Sequence, residues 1–314
     1  MPQPGHRSYV AGNFGLEFDS KGNAGWLASF EGGMPTSDVI AEKVGPDHLV
    51  HKHIGGVKYE DITLSFGTGM SREFWTWLEA SLVKRDYVRK SGAVVASNFD
   101  LRETSRIDFY NAVVAELGFP ALDASSKDAA RVTCRITPEY TRVKVTPRGG
   151  STVGGSQDRS KQRKWHRSDF RYRDDNLNPE DCARVSQIEA ITIKQTVQPF
   201  KVGELRDYQV EPTLIEYPNL VLTVPESHSE TFWKWYDDFV VKGKCSQDQE
   251  HTAMIEYLTP NLKDVLLTLN FQGLGVFKMT PDKADSASEK IRSVKVECYC
   301  EKIDFQYNAA AVWA

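Results

Sequence analysis

An internal repeat constrains this chain more than any other feature. Phe74-Trp75-Thr76-Trp77 returns 158 positions later as Phe232-Trp233-Lys234-Trp235, and the same spacing pairs Tyr59 with Tyr217, Ile62 with Leu220, Leu64 with Leu222 and Glu31 with Glu189. Beyond the aromatic cluster, Phe109 matches Phe271 and Asp123 matches Asp285 at a spacing of 162, so the second copy has gained four residues in a loop. An aromatic triplet flanked by matched strands indicates duplication, and a repeat decides architecture before any motif does. The 314 residues exceed the ~100–200 typical of one domain, so each copy is long enough to bury a core.

Each copy reads alike. Asp61-Ile62-Thr63-Leu64-Ser65-Phe66 alternates as a half-buried strand does, and Asn219-Leu220-Val221-Leu222-Thr223-Val224 is its counterpart. A helix follows in both, with starts expected at Ser71/Glu73 and, as a capping box, Ser227/Glu230. Trp75, Leu78 and Leu82 fall on one helical face, as do Trp233, Tyr236 and Val240, and Gly243 is placed to end the second helix. Further strands are expected at 93–96, 107–110 and 131–136, answered by 265–269 and 294–299. One helix among many strands predicts an α+β, mostly β fold for each copy. The helix core anchors are Phe74, Trp75, Trp77 and Leu78, with Phe232, Trp233, Trp235 and Tyr236 in the second copy.

Between the copies the composition changes. Gly149, Gly150, Gly154 and Gly155 are interleaved with Ser and Thr, and from Thr141 to Phe170 eight basic residues face two acidic ones. The boundaries read as domain 1 over 1–145, a basic linker over 146–181 and domain 2 over 182–314. Arg163, Lys164, Trp165 and Arg167 form a stretch suited to docking on an acidic neighbour. The net charge of −4 gives the whole chain no general affinity for nucleic acid. The N-terminal Met1-Pro2-Gln3-Pro4-Gly5-His6-Arg7 lacks a secretory pattern, and no apolar run is long enough for a membrane anchor. Five cysteines at irregular spacing suit reduced thiols, with assembly expected in a cytoplasmic compartment.

The order of features in the first copy is Asn13-Phe14-Gly15-Leu16-Glu17, then Gly55-Gly56-Val57-Lys58-Tyr59-Glu60-Asp61-Ile62-Thr63-Leu64, then Phe74-Trp75-Thr76-Trp77, then Leu122-Asp123-Ala124-Ser125-Ser126. This order resembles the inner-tube family of contractile phage tails and phage-tail-like injection systems. The second copy keeps the strand, the aromatic helix and Asp285-Ser286-Ala287-Ser288 but shows no evident opening motif and no Gly-Gly-x-Lys turn. The resemblance implies two tandem β-barrel or sandwich domains that join strands with neighbours around a channel, six domains to a ring. Two domains per chain then imply a homotrimer. It further implies a tail-tube or baseplate-adaptor role, with tube, hub, spike and sheath proteins as partners and DNA or protein cargo in the lumen. His48, His51, His53, Lys58, Asp123, Ser125 and Asp285 are the expected contacts between rings or subunits.

Chemical motifs point elsewhere only weakly. His48, His51 and His53 lack a Cys or carboxylate partner placed by sequence, so an exposed loop outweighs a metal site. No phosphate-loop lysine follows the glycines. Ser125, Asp123 and His48 have no nucleophile elbow, so no enzyme and no cofactor is expected. The competing reading is a nucleic-acid-binding module that uses the basic linker and stacks bases on its tryptophans. One-sided helical spacing makes those tryptophans core anchors instead.

Overall fold

Alternating Leu, Ile and Val fix the sheet faces, and the helices close over them. The structure, a computed structural model, describes residues 12–18, 22–43, 45–46, 49–145, 150–153, 165–201, 207–283 and 291–312. The first unit runs β1 (Asn13–Phe18), β2 (Gly22–Leu27), β3 (Ser29–Gly32), β4 (Pro35–Glu42), β5 (His51–Tyr59), β6 (Ile62–Phe66) and α1 (Arg72–Glu79). It continues through β7 (Lys90–Ser97), β8 (Glu103–Phe119), β9 (Leu122–Asp123), β10 (Val132–Thr137) and β11 (Tyr140–Val145). The second unit runs β12 (Phe170–Asp174), α2 (Pro179–Cys182), β13 (Gln187–Ile188), β14 (Ile191–Phe200), β15 (Gln209–Glu216), β16 (Leu220–Pro225) and α3 (Glu230–Tyr236). It ends with β17 (His251–Leu258), β18 (Val265–Pro281), β19 (Ser293–Tyr307) and α4 (Ala309–Val312).

The two units share one strand order. In the first, β1-β7-β8-β10-β6-β3 are neighbours, and in the second β12-β17-β18-β19-β16-β13 are. Irregularities recur with the strands. Asn111 in β8 and Gly273 in β18 both take a left-handed conformation, at φ 50° and 65°, a region open to glycine and, among side chains, most readily to Asn or Asp. Four residues on, Ala115 is the extra residue between Glu116–Arg135 and Val114–Ile136, and Phe277 is the extra residue between Lys278–Glu297 and Val276–Cys298. Bulges of this kind bend a long strand, so both 17-residue strands turn at matching points. The hairpins β4–β5 and β14–β15 also match, each with its register shift at the same place, Ser37/Val39 and Gln195/Val197.

Each unit buries an aromatic helix, and each helix continues into a π-helical turn, Ala80–Lys84 and Asp237–Val241. Ser71 caps α1 by accepting the Phe74 amide at 3.2 Å. Ser227 does not cap α3. The residue before that helix is Ser229, which donates to the Glu226 carbonyl instead, and Ser227 touches His228. Phe74, Trp75, Trp77, Leu78 and Leu82 are all buried. In α3 the buried stripe is Phe232, Trp235 and Phe239, whereas Trp233 and Tyr236 are half-buried and Val240 is exposed. The expected face Trp233-Tyr236-Val240 is therefore corrected by one position around the helix.

The linker is also shorter than its composition suggests. Residues 170–174 form β12 on the edge of β17, in the place that β1 holds beside β7. α2 follows, with Asn178 capping through the Glu180 amide. Trp165 is buried edge-on against Tyr257 at 5.0 Å. A burst of basic residues concealed a strand whose Tyr172 and Asp174 face inward.

Candidate functional site

The two units meet along an edge that the first leaves open for the second. The far half of β8 pairs with β10 on one side. On the other, Glu116–Phe119 receive Lys194–Ile191 of β14 in antiparallel register, Ile191 opposite Phe119 and Thr192 opposite Gly118. Ile191 and Ile193 alternate with Thr192 and Lys194, so the incoming strand presents two buried isoleucines and keeps its polar residues on the other face. A second short ladder joins Leu122–Asp123 of β9 to Ile188–Gln187 of β13.

Aromatic side chains fill the space behind this seam. Trp75 stacks on Tyr307 with ring centroids 4.8 Å apart and meets Phe305 at 6.3 Å, and Phe119 stacks on Tyr257 at 6.1 Å. The Tyr307 hydroxyl donates to the Thr68 carbonyl at 2.9 Å and the Met70 carbonyl at 3.2 Å. Such rings bury large areas and place their hydroxyls on partners, as a permanent interface requires.

A polar rim surrounds the aromatic patch. Tyr59 Oη donates to Asp207 at 2.7 Å and accepts from Arg142 at 3.2 Å, while Arg89 donates to the Val210 carbonyl at 2.9 Å. Burial, reinforced by the Asp207 hydrogen bond, pushes the Tyr59 hydroxyl above its ordinary pKa. Asp123 accepts from Ser125 Oγ at 2.6 Å, from the Ser125 amide at 2.8 Å and from Gln187 Nε2 at 2.9 Å. Those Ser125 and Gln187 bonds hold its carboxyl below the usual range.

Equivalent elements elsewhere stand uncovered. All eight residues of β4 are exposed, with Val39 at 65%, and among the described residues β4–β5 forms a sheet of two strands. A lone hairpin of this size is marginal in water. On β18, Phe277 is 41% exposed where its counterpart Ala115 is 2% exposed, and Lys278, Thr280 and Pro281 are exposed too.

Residues 10–142 match the family model for T4-like virus tail tube protein gp19. The match lies within the first unit. Among solved structures, the chain is similar to one in the tube-terminating cap of the anti-feeding prophage, at 18% identity over 45% of this chain and 93% of that one, TM-score 0.39. The chain is also similar to one in the extended sheath–tube complex of the PVC extracellular contractile injection system, at 19% identity over 45% and 94%, TM-score 0.39. A chain of the six-fold symmetrised anti-feeding prophage baseplate matches at 14% identity over 44% and 91%, TM-score 0.34. No curated protein sequence matches.

The expected contact residues fall in different places. His51 and His53 lie exposed on β5 opposite Glu42 and Ile40, and among the described residues no group of three metal-binding side chains occurs. Lys58 pairs with Asp38 within the hairpin. Asp123 and Ser125 are engaged at the seam between units. His48, Asp285, Arg163 and Lys164 lie outside the described residues. Trp165 is core, not a docking residue, and Arg167 joins the seam through its backbone, its amide donating to the Asp128 carbonyl and its carbonyl accepting from the Asp123 amide. Sequence reasoning passed over Ile191 and Ile193, although Ile191-Thr192-Ile193-Lys194 carries the alternation of a strand. It also passed over Phe305 and Tyr307, whose partner Trp75 lies 230 or more positions away and leaves no local signal.

Proposed function

We propose that this chain is a structural subunit of a contractile tail or tail-like injection particle, three copies of which close a ring of six tube units around a channel. Its first unit takes in the residues through Val153 that pair beside Leu101–Glu103, and its second is built from Trp165 onward. The observation that carries this reading is the seam itself: one hairpin is seated on one strand edge within the chain, while an equivalent hairpin and an equivalent edge stand open. An interface of that kind is head-to-tail, and a head-to-tail interface closes into a ring when the rotation per step divides the circle. Pairing every edge around a ring also removes the exposed edges that lead to uncontrolled aggregation.

The two units are not interchangeable. The first carries β2 beside β1, whereas the second replaces that strand with the loop and short helix at 175–182. A ring alternating such surfaces presents three-fold faces on a six-fold frame, which favours an adaptor between tube and baseplate spike over the repeating tube. The lumen then passes DNA or protein cargo, and the ring acts by shape rather than catalysis. Negative-stain imaging of the purified chain with its mass in solution tests the reading. Rings of three chains support it; a chain that remains single at every concentration and binds DNA in a steeply salt-dependent way contradicts it.

A further inference from the structure

We infer that the seam inside the chain is a residue-by-residue template for the contact between chains, with the β3–β4 junction of one copy pairing to the outer half of β18 in the next. This rests on the ring reading above but makes a narrower claim, because a ring could close through other surfaces.

The register follows from the two constant spacings. Within the chain, Thr192 sits opposite Gly118 and Lys194 opposite Glu116. The hairpins correspond at a spacing of 158, fixed by the matched register shifts, and β8 corresponds to β18 at 162, fixed by the matched extra residues Ala115 and Phe277. Transferring both places Met34 opposite Thr280 and Thr36 opposite Lys278. Met34, Thr36, Lys278 and Thr280 are all exposed, and among the described residues no strand pairs with that outer edge of β18. Pro281 has no amide to donate, which an edge strand tolerates.

The aromatic contact transfers in the same way. Trp75 is buried because Phe305 and Tyr307 lie on it. Its counterpart Trp233 is half-buried, and the counterparts of Phe305 and Tyr307 are Val143 and Val145, exposed at 38% and 67%. A half-exposed indole in one unit and two exposed valines in the other are complementary halves of one contact. Tryptophan in such a position is a common energetic hot spot. A second copy of this chain is thus the occupant. The contact between chains lacks the Tyr307 hydroxyl bonds, so it is the weaker of the two kinds of seam and the one at which rings come apart.

The test is a cysteine pair, Met34→Cys with Thr280→Cys, in the full chain with the exposed Cys245 changed to Ser. The in-chain template supports its geometry: a Cβ built on Gly118 would lie 3.5 Å from Thr192 Oγ1, on the same face. Mild oxidation should give covalent dimers and trimers with nothing larger, mapped by peptide mass to 34–280 links between chains. The pair Pro35→Cys with Thr280→Cys, one residue out of register, should link at least about tenfold less. Separately, Trp233→Ala and Val145→Asp should each raise the dissociation constant of the ring at least about tenfold, with unchanged circular dichroism. Rings that form without 34–280 links, or that tolerate Trp233→Ala, overturn this contact and leave the ring reading standing. A chain that stays single and unlinked at all concentrations overturns both.

Discussion

The edge of β8 and the edge of β18 have the same backbone path and opposite surroundings. Ala115, Leu117 and Phe119 are buried beneath β14, while Phe277, Lys278, Thr280 and Pro281 face outward. Sheltered positions on β8 are filled with Ala, Gly and apolar side chains that admit a permanent neighbour, whereas the open edge carries Lys and Pro, residues that keep an unpaired edge from sticking indiscriminately. The difference teaches that duplication can build one of two equivalent edges into a fold while the other stays open.

The sharpest way to break this comparison is to remove the two equivalent tryptophans one at a time. Trp75→Ala empties a buried aromatic site at the seam and should cost ~3–5 kcal/mol, against ~1 kcal/mol for Trp233→Ala in the dilute single chain. Chemical denaturation measures both, and equal losses would mean that the two environments do not differ as described. The left-handed positions come next. Gly273→Ala forces a side chain into φ +65° beside Glu301 and should cost ~1–2 kcal/mol, whereas Gly273→Asn, which copies Asn111 of the first unit, should cost less. Thermal melts of the two variants decide it.

The helix starts provide a smaller contrast. Ser71→Ala removes a side-chain cap and should lower stability by ~1 kcal/mol, while Ser227→Ala, which caps nothing, should change it by less than ~0.5 kcal/mol. The smallest effect concerns Asp123. Its lowered pKa means that its contribution is complete above the ordinary aspartate value near ~3.9 and is lost as pH falls through the lower folded value. The half-exposed site limits this to about 0.5 kcal/mol. Comparison with Asp123→Asn should therefore show a gap above pH ~4 that closes in stronger acid.

Much of the repeat was legible in sequence because its markers are local. The aromatic quartet, the alternating strands and the four-residue difference between copies all follow from short-range periodicity, and the extra residues fall between α3 and β17, where 242–250 replaces 85–89. The opening strand of the second unit was hidden because Arg171 and Arg173 on its outward face gave it the charge of the linker before it. The buried face of α3 was misread because Trp233 looks like a core residue by periodicity, whereas Phe232, Trp235 and Phe239 take the inward positions. The seam was invisible for a related reason. Pairing of Ile191 with Phe119 joins segments some 70 positions apart, and no periodicity within either one names the other.

Amide hydrogen exchange tests the central claim most directly, comparing Glu116–Phe119 and Ile191–Lys194 with Met34–Glu42 and Phe277–Thr280. In dilute protein the first two segments should be slow and the last two fast, and concentrating the protein into rings should slow the last two while leaving the first two unchanged. Equal exchange in all four segments when dilute, or rings in which the hairpin and the β18 edge still exchange freely, would contradict it.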